Sequence, residues 1–114
     1  MPTKMNETAY REAEDRYWQH VGLDPVEHRV HLEHSGVEVR VQEVGSGDPV
    51  LFVHGASNSG VSWADLVVHL DGYRCLLLDR PGAGLSEALP EPFADVAALD
   101  RFSDDLVCDV LDAL

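Results

Sequence analysis

Two short runs in this chain are apolar at every position: Val50, Leu51, Phe52 and Val53, and then Cys75, Leu76, Leu77 and Leu78. A strand that shows one face to water alternates apolar and polar residues. A strand without that alternation is expected to be covered on both faces, as in a parallel sheet lying between helices. Between the runs, residues 62–70 are predicted to form a helix. Ser62 with Asp65 resembles a capping box with a shortened acid, and Gly72 closes the end. Strand, helix and strand over this span predict a βαβ unit with parallel strands and a right-handed crossover.

The segments around this unit have other periods. Residues 4–22 read as a helix, with Met5, Ala9, Ala13 and Tyr17 four apart on one stripe, Tyr10, Trp18 and Val21 beside it, and acids opposite. Gly22 and Pro25 mark its end. It is expected to be a surface helix held by its aromatics, so residues 1–25 form an N-terminal helix and linker, and residues 26–114 the α/β domain. From Val26 the period becomes two. Val30 and Leu32 alternate with Arg29, His31 and Glu33; beyond Ser35 and Gly36, Val37, Val39 and Val41 alternate with Glu38, Arg40 and Gln42. This predicts an antiparallel hairpin with one apolar and one polar face. Residues 45–49 (Gly-Ser-Gly-Asp-Pro) break the chain, and residues 87–95, with two prolines, are expected to be irregular. A last helix is predicted over 96–114. Phe102, Leu106, Val107, Val110, Leu111 and Leu114 fill one half of its wheel, and Asp104, Asp105, Asp109 and Asp112 mostly fill the other.

Composition removes several functional classes. The chain has 114 residues, enough for one small domain, and 8 basic residues against 21 acidic ones leave a net charge of −13. Nucleic acid and anionic membranes both call for a basic face, so neither is expected as a partner. Two cysteines make neither a disulfide framework nor a four-cysteine zinc site. Cys75 falls in a buried strand and Cys108 at the edge of an apolar helix face. Neither has a cation nearby to make it a nucleophile. His28, His31 and His34 are spaced by three, but on a strand His31 points away from His28, so no shared metal site is expected. His20 and His69 stand alone, and no cofactor is implied. No apolar run reaches about 18 residues, and residues 1–20 lack the apolar centre of a signal peptide, so a cytoplasmic setting is expected.

The informative features are two glycine-containing loops, each after the C-terminal end of a predicted parallel strand, where open α/β sheets bind ligands. One is His-Gly-Ala-Ser-Asn-Ser-Gly at 54–60. The other is Asp79 followed by Arg-Pro-Gly-Ala-Gly-Leu-Ser at 80–86. Together with Trp63 and the preceding hairpin, their order and spacing resemble the α/β-hydrolase family over residues 30–114. The resemblance implies an α/β fold: the N-terminal half of an α/β-hydrolase sheet, incomplete, with an antiparallel hairpin, then parallel β-α-β, and helices on both faces. It implies hydrolysis of an ester, amide or related bond in a small-molecule substrate. Ala56 matches the residue whose backbone N–H supplies one oxyanion donor. Gly55 lets the backbone approach the substrate, and His54 resembles the family's loop-bracing histidine rather than its catalytic one. Thus His54, Gly55, Ser57 and Asn58 are expected at the active-site mouth. Asp79, Arg80, Pro81, Gly82, Gly84 and Ser86 are expected to form the loop that braces it.

The resemblance also implies a nucleophile in a G-x-S-x-G elbow on a fifth strand, followed by an acid and a histidine. The sequence ends on the helix that would precede that strand. Gly84-Leu85-Ser86-Glu87-Ala88 matches the elbow as text, but no strand leads directly into it and Pro90 and Pro92 deny it a following helix. Ser57 follows a strand, but Ser59 replaces the second glycine, and no acid-then-histidine pair follows on later strands. The expected identity is therefore an N-terminal portion of a serine-type hydrolase, with half an oxyanion hole and no catalytic triad. The alternative is a non-catalytic binding or interaction module. If strand order follows the family, the strand of Val50, Leu51, Phe52 and Val53 is an outer edge without lysine, bulge or internal proline. It is then expected to self-associate or to take a complementing chain.

Overall fold

The computed structural model describes residues 6–55 and 57–114, in the element order α1 (Glu7–Val21), β1 (Val26–His31), β2 (Glu38–Val44), β3 (Asp48–Val53), a 3-10 turn (Gly60–Trp63) running into α2 (Ala64–Val67), β4 (Tyr73–Leu78) and α3 (Val96–Ala113). The strands form one mixed sheet in the order β1-β2-β4-β3. The hairpin β1–β2 is antiparallel, β2 pairs antiparallel with β4, and β3 pairs in parallel with β4 from Asp48 beside Tyr73 to Val53 beside Leu78. Hairpin, parallel unit and strand order agree with the expected hydrolase-type sheet.

The period-two pattern decides which side chains meet which helix. On one face Val30, Val39, Val41, Leu76 and Leu78 form a core closed by Leu106 and Val110 of α3. On the other, Val44, Cys75 and Leu77 meet Trp18 of α1 with Ala64 and Val67 of α2. All four apolar residues of β4 are buried, as an unalternating strand predicts. Those of β3 are not: Val50, Leu51 and Phe52 are half-buried and Val53 is 41% exposed, because β3 lies at the end of the sheet and has a neighbour on one side only. The strand also starts earlier than the apolar run, so Pro49 does lie within the edge strand.

Further expectations are corrected. The α1 stripe of Ala9, Ala13 and Tyr17 is exposed, and Met5 lies outside the described residues; the helix buries Glu14 and Trp18, with Tyr10 and Val21 partly covered. The reason lies across from it. The hairpin's polar face is not solvated, since Arg40 and Gln42 are buried under α1, and a helix over a buried guanidinium must offer an acid. Second, the helix predicted over 62–70 shrinks to a 3-10 turn and one α-turn without a side-chain cap; Ser62 Oγ instead donates to the Ser59 carbonyl (2.7 Å). Third, α3 turns only half of its apolar wheel inward. Phe102, Leu106, Val110 and Leu114 touch the core, whereas Val107 and Leu111 are exposed.

Asp109, expected on the solvated side of α3, is buried and ties that helix to the hairpin turn. It accepts from the His34 backbone N–H (3.2 Å) and lies 2.8 Å from His34 Nδ1. The Asp109 hydrogen bond, helped by the charges of Asp105 and Glu33, raises the His34 pKa above its ordinary value. A raised pKa means that the tie stabilises the fold fully below about pH 6.5 and is lost as pH rises through the folded-state value. The stability difference between the natural chain and His34→Gln should therefore be larger at pH 5.5 than at pH 8.5. Urea titrations at the two pH values measure it, and an equal difference at both contradicts the charged tie.

Candidate active-site mouth

Loops 54–60 and 79–86 leave the sheet at the C-terminal ends of β3 and β4, which are paired neighbours. The first sequence-predicted residue, His54, is buried and joins the loops. Its Nε2 accepts from the Arg80 backbone N–H (3.0 Å), which can only donate, so the ring proton sits on Nδ1 and is given to the Gly55 carbonyl (2.7 Å). Arg80 Nη1 donates back to the His54 carbonyl (3.3 Å). Both ring nitrogens are thus occupied by backbone, which leaves His54 a bracing geometry and no free nitrogen for proton transfer.

Gly55, Ser57 and Asn58 are exposed on the first loop, and the Asn58 N–H closes a turn onto the Gly55 carbonyl (3.3 Å). Ser57 takes a left-handed φ of +66°, a conformation that costs a non-glycine residue about 1–2 kcal/mol. Ala56, the expected oxyanion residue, lies outside the described residues.

Asp79 is the hub of the second loop and is 1% exposed. Its Oδ1 accepts from the Gly60 N–H at the far end of the first loop (2.7 Å), and its Oδ2 accepts from the Leu85 N–H (3.1 Å) and from Arg40 Nε (2.9 Å). One carboxylate therefore fixes the ends of both loops. The glycines follow from this crowding: Gly84 has φ +51°, and a Cβ there would run into the Asp79 carboxylate. Ser86 Oγ donates to the Asp79 carbonyl and accepts from the Arg40 N–H (2.8 Å), so the hydroxyl stitches the loop to β2. With both roles committed it is not placed as a nucleophile. Gly82 N–H donates to the Glu87 carbonyl and Ala83 N–H to that of Arg80, which folds the loop on itself, while Pro81 lies beside the end of β3 in a groove that also holds Val53 and Phe93.

Three buried residues beneath the loops, Arg40, Glu14 and Gln42, carry no motif. Arg40, 1% exposed, reaches Asp79 on one side and makes a two-pronged ion pair with Glu14 of α1 on the other (Nη1–Oε1 2.8 Å, Nη2–Oε2 2.7 Å). Burial alone would lower the Arg40 pKa, but the hydrogen bonds and charges of Glu14 and Asp79 more than reverse this and raise it, so the guanidinium is charged at every working pH. Gln42 donates to the same Glu14 oxygen (3.0 Å). Their sequence signal is the spacing 10, 14, 18, 21 on α1, a stripe that is apolar except for the acid at its centre. Among the described residues no group of histidines, cysteines and acids is arranged to hold a metal ion, and no helix is long and apolar enough to cross a membrane.

Comparison with known proteins bears on the family and the fold. The family model described as alpha/beta hydrolase fold matches residues 48–114. A non-heme chloroperoxidase of Kitasatospora aureofaciens is 41% identical over 73 residues, covering 62% of this chain and 25% of that protein. Epoxide hydrolase 2 of Siraitia grosvenorii is 33% identical over 72 residues, covering 61% and 22%. Among solved structures, a haloalkane dehalogenase of Agrobacterium tumefaciens superposes with a TM-score of 0.63 at 26% identity, over 79% of this chain and 30% of that one. A lipase-like protein of Acinetobacter baumannii shares the fold over 96% of this chain and 36% of its own (TM-score 0.65, 18% identity). The chain thus spans about a quarter of the length of the curated relatives it matches. With more than half of its residues inside the family match, and with its fold shared by the solved structures above, the chain belongs to the alpha/beta hydrolase fold family.

Proposed function

We propose that this chain forms the front part of a serine-type hydrolase that cleaves an ester, amide or related bond in a small molecule. The observation that carries the reading is the joining of two loops, at the C-terminal ends of paired parallel strands, by the single buried carboxylate of Asp79. Acyl transfer develops negative charge on the substrate oxygen, and donors held in place before reaction stabilise it best. In this reading the N–H of Ala56 is one such donor, and Gly55, Ser57 and Asn58 border the substrate. His54 and the loop from Asp79 to Ser86 hold them in position. In this reading the nucleophile, acid and catalytic histidine are not drawn from the described residues of these loops, because Ser86 Oγ is committed to the Asp79 carbonyl and the Arg40 N–H, and both His54 ring nitrogens are committed to backbone. The second reading, a binding module without catalysis, predicts that the segment cannot serve in an enzyme.

Exchange tests the two. Substituting the matched stretch of this chain for that of the Kitasatospora chloroperoxidase should give a folded chimera that retains that enzyme's activity within about 100-fold. A folded but inert chimera supports the binding module instead.

The outer edge is part of the same proposal. Half-buried β3 and the exposed Val53, Phe93, Leu99 and Val107 beside it make an apolar margin that takes a further strand. In the 114-residue chain alone this margin should drive self-association, read as a mass above monomer in light scattering. Val53→Lys should shift the population toward monomer, and a monodisperse monomer before substitution contradicts the claim.

A further inference from the structure

The buried Glu14–Arg40–Asp79 relay runs from the N-terminal helix to the loop ends, and nothing in the hydrolase reading calls for it. We propose that Arg40 is the positioning residue of the active-site mouth, and that α1 acts through it: Glu14 aims the guanidinium, the guanidinium aims the Asp79 carboxylate, and the carboxylate sets the Gly60 and Leu85 amides. The proposal rests on reading 54–60 as an active-site loop, but its test does not depend on activity.

Four observations converge. Arg40 and Asp79 are each 1% exposed, so the relay is shielded from water, where an ion pair would be screened. The guanidinium is held on two sides, by both Glu14 oxygens and by Asp79 Oδ2 through Nε (2.9 Å) and Nη2 (2.8 Å), so it cannot turn without breaking both pairs. Asp79 has an amide from each loop on its carboxylate, so its orientation fixes their separation. A second link runs in parallel, since the Tyr10 hydroxyl of α1 donates to Ser59 Oγ (3.1 Å) within the first loop. The family match begins at residue 48, so both α1 and Arg40 lie ahead of it, and the mouth is tuned by a part of the chain that the matched segment does not contain.

A lysine at position 40 keeps the charge but loses the fork that engages two carboxylates at once. Hydrogen exchange read by mass spectrometry at low micromolar concentration on the full chain separates positioning from general support. In Arg40→Lys, peptides spanning 54–62 and 80–88 should exchange at least tenfold faster, with little change in peptides from α3. Val110→Ala is the control for plain loss of stability. Val110 is buried on the opposite face of the sheet, and its truncation should speed exchange in α3 first. Glu14→Gln leaves the Arg40–Asp79 pair in place and should speed the loop peptides several-fold, and it serves if Arg40→Lys does not fold. Unchanged loops in both relay variants, or loops and α3 rising together as in Val110→Ala, overturn the proposal. A failed chimera with these exchange results would count against the hydrolase reading and leave the relay standing.

Discussion

Arg40→Met is expected to cost about 3–5 kcal/mol of folding stability, because it leaves the carboxylates of Glu14 and Asp79 facing each other in the interior without a cation. Against a usual total of about 5–15 kcal/mol for a domain, that is about a fifth of the total at the least and all of it at the most, so the unfolded population should rise steeply. Removing one carboxylate together with the cation separates the charge effect from packing. The double variant Arg40→Met with Glu14→Leu should recover a large part of the loss, since the remaining Asp79 carboxylate still accepts two backbone amides. Urea unfolding of the two variants and the natural chain measures this. A double variant as unstable as Arg40→Met alone would show that the guanidinium's stem, rather than its charge, holds the site together.

The second large effect is expected at Trp18. Its ring is 2% exposed and closes the core formed by Val44, Cys75 and Leu77, so Trp18→Ala should cost about 3–5 kcal/mol through lost burial and the cavity left behind. The outcome distinguishes two views of residues 1–25. If α1 is an integral layer of the fold, the variant loses stability cooperatively, and the sheet and α1 unfold in one transition. If α1 is an appended helix, the substitution frees α1 and leaves the unfolding midpoint of the sheet in place. Circular dichroism with near-ultraviolet absorption of the remaining Trp63, which packs on Phe52, follows the two together.

The unalternating run at 75–78 and the alternating hairpin were legible because they report burial directly: side chains on a strand point to faces in turn, and covering both faces removes the need for polar residues. The run at 50–53 gave the right strand and the wrong burial. Periodicity describes the faces of a strand and is silent on whether its edge has a neighbour. The loop geometry was legible where short motifs demand a particular backbone, as at Gly84, whose missing side chain makes room for the Asp79 carboxylate. The relay beneath it was not. Arg40 and Gln42 sit at the polar positions of an alternating strand, and on pattern alone such residues belong in water. Only the three-dimensional approach of Glu14, 26 positions earlier, reverses that reading. Asp109 departs from the helix pattern for the same reason, since its partner His34 lies 75 positions away in sequence.

The most direct measurement of the central claim acts on one backbone hydrogen. In the active chimera carrying this chain's segment, Ala56→Pro removes the N–H at position 56, whereas Ala56→Gly keeps it. Loss of one oxyanion donor commonly lowers turnover by about 100- to 1000-fold. The account predicts a fall in kcat of that size for Ala56→Pro, with little change in KM, and activity within about tenfold for Ala56→Gly. If both variants fold and turn over alike, the amide of residue 56 is no transition-state donor, and this loop is not the hydrolase site proposed for it.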